Sequence, residues 1–103
     1  MHINDAQMLV LTVLADGPRH GYAINAAIEE LTGSRLGPGS LYGALARLEA
    51  RGLIQHSNGP AGDQARQRTM QITNAGRDAL RIELEQMARV ARAGLRALRT
   101  NAT

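Results

Sequence analysis

The chain has no cysteine, no lysine, no phenylalanine and no tryptophan. Without cysteine there are no disulfides, no thiolate nucleophile and no cysteine-based metal site. With only two tyrosines as aromatic residues, the core has to be built from Leu, Ile, Val, Ala and Met. No apolar run approaches the roughly 20 residues that span a membrane. The start, Met1-His2-Ile3-Asn4-Asp5, lacks the basic and apolar stretches of a secretory leader. A cytoplasmic location and no membrane partner are therefore expected. The three histidines, His2, His20 and His56, are scattered, and no nucleophile–base pair stands out. Neither a metal, a cofactor nor an enzymatic activity is expected.

What is present is arginine. All twelve basic residues are Arg, and they are unevenly spread. Residues 1–33 carry a net charge of −3, residues 34–72 of +3 and residues 73–103 of +3. A basic middle suits an anionic partner. The planar guanidinium fork gives paired hydrogen bonds to phosphates and to guanine edges.

At 103 residues one compact unit is the natural expectation. Asn4 or Asp5 can cap a first helix containing Met8, Leu9, Leu11, Val13 and Leu14, which Asp16-Gly17-Pro18 ends. Ile24, Ala27, Ile28 and Leu31 recur at helical spacing and predict a second helix over residues 21–31. Leu36-Gly37-Pro38-Gly39-Ser40 is a tight turn. It opens a third helix over residues 40–51, with Ser40 as its cap and Leu41, Ala44, Leu45 and Leu48 as its buried stripe. Gly52 stops it. Residues 53–56 and 69–72 read as two short strands around the turn-rich Asn58-Gly59-Pro60-Ala61-Gly62-Asp63, together a β-hairpin. Thr73 caps a long last helix, residues 74–99.

Two helices joined by a short glycine-containing turn form a helix-turn-helix, whose second helix normally enters the major groove of DNA. Ser40, Tyr42 and Gly43 lie off the leucine stripe of that helix, and Arg47 follows one turn on. Gly39 and Gly43 leave room for close backbone approach. The helix N-terminus presents free N–H groups to phosphate. Arg66 and Arg68 sit near the tip of the hairpin, as a DNA-contacting wing requires. The fold expected is mainly α with a small β-hairpin: a winged helix-turn-helix at residues 1–73 and a C-terminal dimerisation helix at residues 74–103 in the same unit. The rival reading is a winged helix that binds protein and not DNA, since fold does not fix function.

Three stretches resemble the PadR-like family of transcriptional regulators. They are Gly17-Pro18-Arg19-His20-Gly21-Tyr22-Ala23-Ile24, then Leu36-Gly37-Pro38-Gly39-Ser40-Leu41-Tyr42-Gly43-Ala44-Leu45 with Arg47-Leu48-Glu49 and Gly52-Leu53-Ile54, and Ile72-Thr73 with Ala75-Gly76. The resemblance implies a homodimer on palindromic double-stranded DNA, usually a repressor. It also implies DNA contact through Tyr22, Ser40, Tyr42 and the wing. Where the family's second wing strand usually has two adjacent tyrosines, this chain has Thr69 and Met70, so no role of those aromatics carries over.

The last helix would be about 39 Å long at ~1.5 Å per residue, longer than its own domain needs. Leu80, Leu84, Met87, Ala91, Gly94 and Leu98 follow spacings of 4, 3, 4, 3 and 4, a heptad seam fit for a dimer interface. A small hydrophobic effector, if one acts, is expected where first and last helices of two subunits meet. Met8, Leu11, Leu84, Met87 and Ala91 are its candidate lining, and the same residues equally suit an ordinary dry dimer core.

Overall fold

A computed structural model of the chain describes residues 3–57 and 69–101. Four helices and one hairpin follow each other as α1 (Asp5–Leu14), α2 (Gly21–Thr32), α3 (Pro38–Ala50), β1 (Ile54–Ser57), β2 (Thr69–Ile72) and α4 (Asn74–Asn101). This is the mainly helical winged fold expected from the residues.

Each boundary has a local cause. Asn4 caps α1: its Oδ1 accepts from the Gln7 N–H at 2.9 Å, satisfying a donor with no partner inside the helix. Gly33 ends α2 at φ +89°, and Gly52 turns the chain out of α3 at φ +75°. Both angles lie in the left-handed region that favours glycine. α3 begins two residues earlier than the turn motif suggested. Gly37 takes the extended capping conformation and Pro38 the first helical position, where its fixed φ fits and its missing N–H costs nothing. Ser40 is therefore inside the first turn and is not the cap.

The core is aliphatic, as the lack of large aromatics required. Val10, Leu11, Ile24, Ile28 and Leu48 have no exposed surface, and Leu14 and Ile54 have almost none. Leu31, in phase with the buried stripe of α2, is instead exposed and lines an open groove with Thr12, Val13 and Ala15 at the end of α1. Leu45 is half-buried.

The hairpin pairs Ile54 with Ile72 and His56 with Met70 in antiparallel register. A segment outside the hairpin adds a bridge to β2 that the sequence did not announce. Arg19, between α1 and α2, exchanges both backbone hydrogen bonds with Met70, at 3.0 and 2.8 Å. The Arg19 side chain also donates back to the Val13 carbonyl at 3.2 Å, closing the end of α1 onto the same corner.

The hairpin then fixes the start of α4. The Thr73 hydroxyl donates to the Gly52 carbonyl at 2.7 Å and accepts from the Gly76 N–H at 3.0 Å. One residue thus joins the end of α3 to the start of α4. A side chain at Gly76 would overlap the Leu53 carbonyl oxygen and come within 2.8 Å of Ile72 Cγ1. Leu80 is buried against the core, but all residues from Arg89 to Thr100 are exposed. The molecule measures 63 × 26 × 21 Å, with a radius of gyration of 16.0 Å. A compact chain of this size would have about 13 Å. The excess is the projecting helix.

Candidate nucleic-acid interface

The turn between α2 and α3 decides how α3 is presented. Asn25 on α2 grips it from both sides. Its amide nitrogen donates to the Leu36 carbonyl at 2.8 Å, and its oxygen accepts from the Leu36 N–H at 2.9 Å. An amide is the side chain that can answer both backbone groups of one residue at once. Below it, the Thr32 hydroxyl accepts from the Ser34 N–H at 3.2 Å. The sequence reading did not single out Asn25; a polar residue beside the buried Ile24 and Ile28 was the available signal.

With the turn held, Leu41, Ala44 and Leu48 face the core while Gly39, Ser40, Tyr42 and Arg47 are exposed. Gly39, Ser40, Gly43 and Arg47 line one cleft of about 310 Å³ together with Asn4, Ala6, Gln7 and Ala44. The cleft therefore runs between the start of α1 and the outer face of α3. Nothing lies within 4 Å of a side-chain carbon placed at Gly39 or Gly43, so the backbone there is open to approach. The Tyr42 ring lies on the other flank, toward α2: a Cβ at Gly21 would be 3.9 Å from its Cε1 and its hydroxyl.

Tyr22, also predicted, is 77 % exposed at the start of α2. Its ring is not bare. The Arg35 guanidinium sits 5.7 Å from the ring centroid, within range of a cation–π attraction. Arg35 also donates to Glu29 at 2.8 Å, and this bond with the carboxylate charge holds its pKa above the ordinary arginine value. Arg35 is a cation at the mouth of the helix-turn-helix that sequence reasoning counted only in the regional charge. His56 of β1 approaches Glu49 at 3.3 Å, tying the hairpin to α3. Arg66 and Arg68, the predicted wing contacts, lie outside the described residues.

The predicted dimer seam divides in two. Leu80 is 5 % exposed and belongs to the core of its own protomer, so it is not available to a partner. Leu84, Met87 and Leu98 are exposed large apolar residues, as are Val90 and Leu95, which the strict 4-3 spacing left out. Ala91 is exposed as well. For the effector lining, the structure corrects two residues. Leu11 has no exposed surface and Met8 is 7 % exposed, because both point into the four-helix core and offer nothing to a ligand. The cleft of about 260 Å³ that does adjoin Leu84 is lined instead by Ala15, Arg77, Leu80, Arg81 and Glu85. Among the described residues no cluster of potential metal ligands occurs, and no helix is long and apolar enough to cross a membrane.

The model of the transcriptional regulator PadR-like family matches residues 10–82. An uncharacterised 37.1 kDa protein in transposon TN4556 of Streptomyces fradiae is 61% identical over 90 residues, covering 87% of this chain and 25% of that protein. The chain thus spans about a quarter of the length of that relative. Among solved structures, RosR of H. salinarum superposes with a TM-score of 0.70 at 33% identity, over 82% of this chain and 74% of RosR. A PadR family transcription regulator of Clostridium difficile reaches 0.76 at 24% identity, over 92% of this chain and 99% of that one. Bacillus subtilis PadR, solved in complex with operator DNA, reaches 0.66 at 22% identity, over 79% of this chain and 47% of that one.

Proposed function

Since the chain belongs to the PadR-like family of transcriptional regulators, we propose that it is a sequence-specific repressor that binds a palindromic operator as a homodimer and catalyses nothing. The observation that carries this reading is the outer face of α3. Gly39, Ser40, Tyr42 and Arg47 stand free of the core on a helix whose orientation is fixed by the Asn25 clamp. In this reading Arg47 and Tyr42 reach base edges or nearby phosphates, while Ser40 and the free N–H groups around Gly39 take a phosphate oxygen. Gly43 lets the strand approach. Tyr22 and Arg35 extend the contact from α2, and Arg66 and Arg68 supply the wing. The operator-bound structure of Bacillus subtilis PadR supports the same use of the fold.

Residues 1–73 then form the DNA-binding unit and residues 74–103 the dimerisation helix. Two recognition helices related by a two-fold axis require half-sites about one turn of DNA apart, roughly 10 bp or a multiple of it. A small hydrophobic effector, where one acts, would enter beside Leu84, Met87 and Ala91 and alter the spacing of the two recognition helices. By linkage, DNA would then weaken the effector's binding equally.

The test is selection of bound sequences from a random DNA pool, followed by affinity measurements across salt concentrations. The expected result is an inverted repeat whose affinity falls steeply with salt as counterions are released. Recovery of no enriched sequence, with binding at the level of random DNA, would overturn the reading in favour of a protein-binding winged helix.

A further inference from the structure

One face of α2 carries three polar side chains that all reach the turn leading into α3. Tyr22, Asn25 and Glu29 follow one another at helical spacing, so they stand in one row. Asn25 holds the backbone of Leu36. Glu29 and Tyr22 hold the neighbouring side chain, Arg35. The Glu29 carboxylate accepts from Arg35 Nε at 2.8 Å, and the guanidinium carbon lies 5.7 Å from the centre of the Tyr22 ring. Arg35 is therefore fixed at both ends, its backbone by the clamp on Leu36 and its head between an acid and a ring. With Nε given to Glu29, the two terminal nitrogens still carry their N–H groups, and the side chain is 42 % exposed.

The acid is out of place on charge alone. The turn leads into α3, read above as the helix that meets DNA, and the Glu29 side chain is half-exposed beside it. A carboxylate there repels phosphate. It also does little for the fold, since an exposed ion pair contributes next to nothing to stability. What the pair does change is the freedom of Arg35. A long side chain held in place beforehand loses less freedom on binding than a loose one.

We infer that Glu29 is a positioning residue that sets specificity: it lowers the general attraction for DNA and holds Arg35 ready for one phosphate of the operator; this rests on the DNA-binding reading above. Random duplex is gripped in many registers through its phosphates. It gains nothing from a cation held in one place and feels only the added negative charge. The operator docks in one register, fixed by its phosphate contacts, and meets the guanidinium already in position. Glu29 thus weakens binding to the first and strengthens binding to the second.

The test measures two affinities for each protein, one with a random-sequence duplex and one with the inverted-repeat duplex enriched by selection. Glu29→Ala should bind the random duplex more tightly and the selected duplex less tightly. The ratio of the two affinities should fall about tenfold, roughly threefold for each of two half-sites. In an Arg35→Ala background, Glu29→Ala should raise both affinities together and leave the ratio unchanged, because nothing remains to be positioned. The melting temperature should stay the same throughout. A parallel rise of both affinities in Glu29→Ala alone would make Glu29 a plain repulsive charge and overturn the inference. So would an equal fall in the ratio with Arg35 absent, since the effect would then bypass Arg35. If Arg47→Ala lowers affinity for the selected duplex while Glu29→Ala leaves the ratio intact, the DNA reading stands and the positioning role alone falls. Enrichment of no sequence from the pool would remove both.

Discussion

Two glycines on one helix stand in opposite surroundings. Gly76, in the first turn of α4, is pressed so closely on the Leu53 carbonyl and on Ile72 that a methyl group has no room. Gly94, five turns later, has nothing within 4 Å of the place where a side chain would begin. The first is glycine because the fold demands it. The second sits on the distal half of that helix, where the residues from Arg89 to Thr100 are all exposed. The base of α4 is packed against the core through Leu80, and the distal half is exposed. A helix of this exposed length gains little from its own backbone bonds, since most helical stability in proteins comes from packing an apolar face.

The sharpest way to test this division is Leu84→Arg, at the point where the helix leaves the protomer. An unpaired charge in an apolar contact should raise the dimer dissociation constant at least a hundredfold, about 3 kcal/mol or more. Sedimentation equilibrium measures it, and the thermal stability of the monomer should change little, because Leu84 is already 41 % exposed. A large loss of monomer stability would show that the distal helix is part of the core after all.

Gly76→Ala attacks the other side of the comparison. The added methyl must move either α4 or the Leu53 carbonyl, and overpacking of this kind costs about 1–3 kcal/mol. Urea denaturation should show a lower midpoint with an unchanged slope. An unchanged midpoint would mean that the junction is softer than its geometry indicates.

Asn25→Ala removes both bonds to Leu36 and leaves the N–H and C=O of that half-buried residue without their partners. The expected loss is about 2 kcal/mol, accompanied by weaker operator binding because α3 is no longer held in one orientation. Tyr42→Phe removes one hydroxyl from an exposed ring. It should leave stability unchanged and weaken operator affinity by about 1 kcal/mol, roughly fivefold; equal affinity for the two proteins would remove Tyr42 from the contact surface.

The smallest effect is expected at Gly94→Ala, placed in the Leu84→Arg background so that no partner intervenes. Alanine favours the helix by up to about 1 kcal/mol over glycine. Circular dichroism should therefore show more helix, not less. A decrease would mean that Gly94 has a neighbour within the protomer.

The element order was legible because each signal is local. Asn4, Gly33, Gly52 and Thr73 act on their own chain within a few residues, and the apolar periods of α1, α2 and α3 name their buried faces. The sites were legible only in part. Ser40, Tyr42 and Arg47 were separated from Leu41, Ala44 and Leu48 by helical phase alone, and the structure keeps that separation. Phase did not show that Leu31 borders an open groove and stays exposed. The heptad seam likewise ran unbroken through Leu80, although that residue meets its own core before any partner can reach it. Period tells which side of a helix is apolar, not what lies opposite.

By itself, then, the sequence determined which segments are helical, where they stop, and which face of the third helix is polar, because capping, glycine conformation and periodicity are properties of neighbouring residues. It determined the lack of disulfides and the aliphatic nature of the core by composition alone. Only the tertiary structure decided that Arg19 adds a bridge to β2, that Asn25 clamps the turn at Leu36, that Gly76 admits no side chain, and that Met8 and Leu11 are sealed inside. Each of these depends on the distance between groups remote in sequence. Such distances are set by how the helices pack, which no local rule encodes.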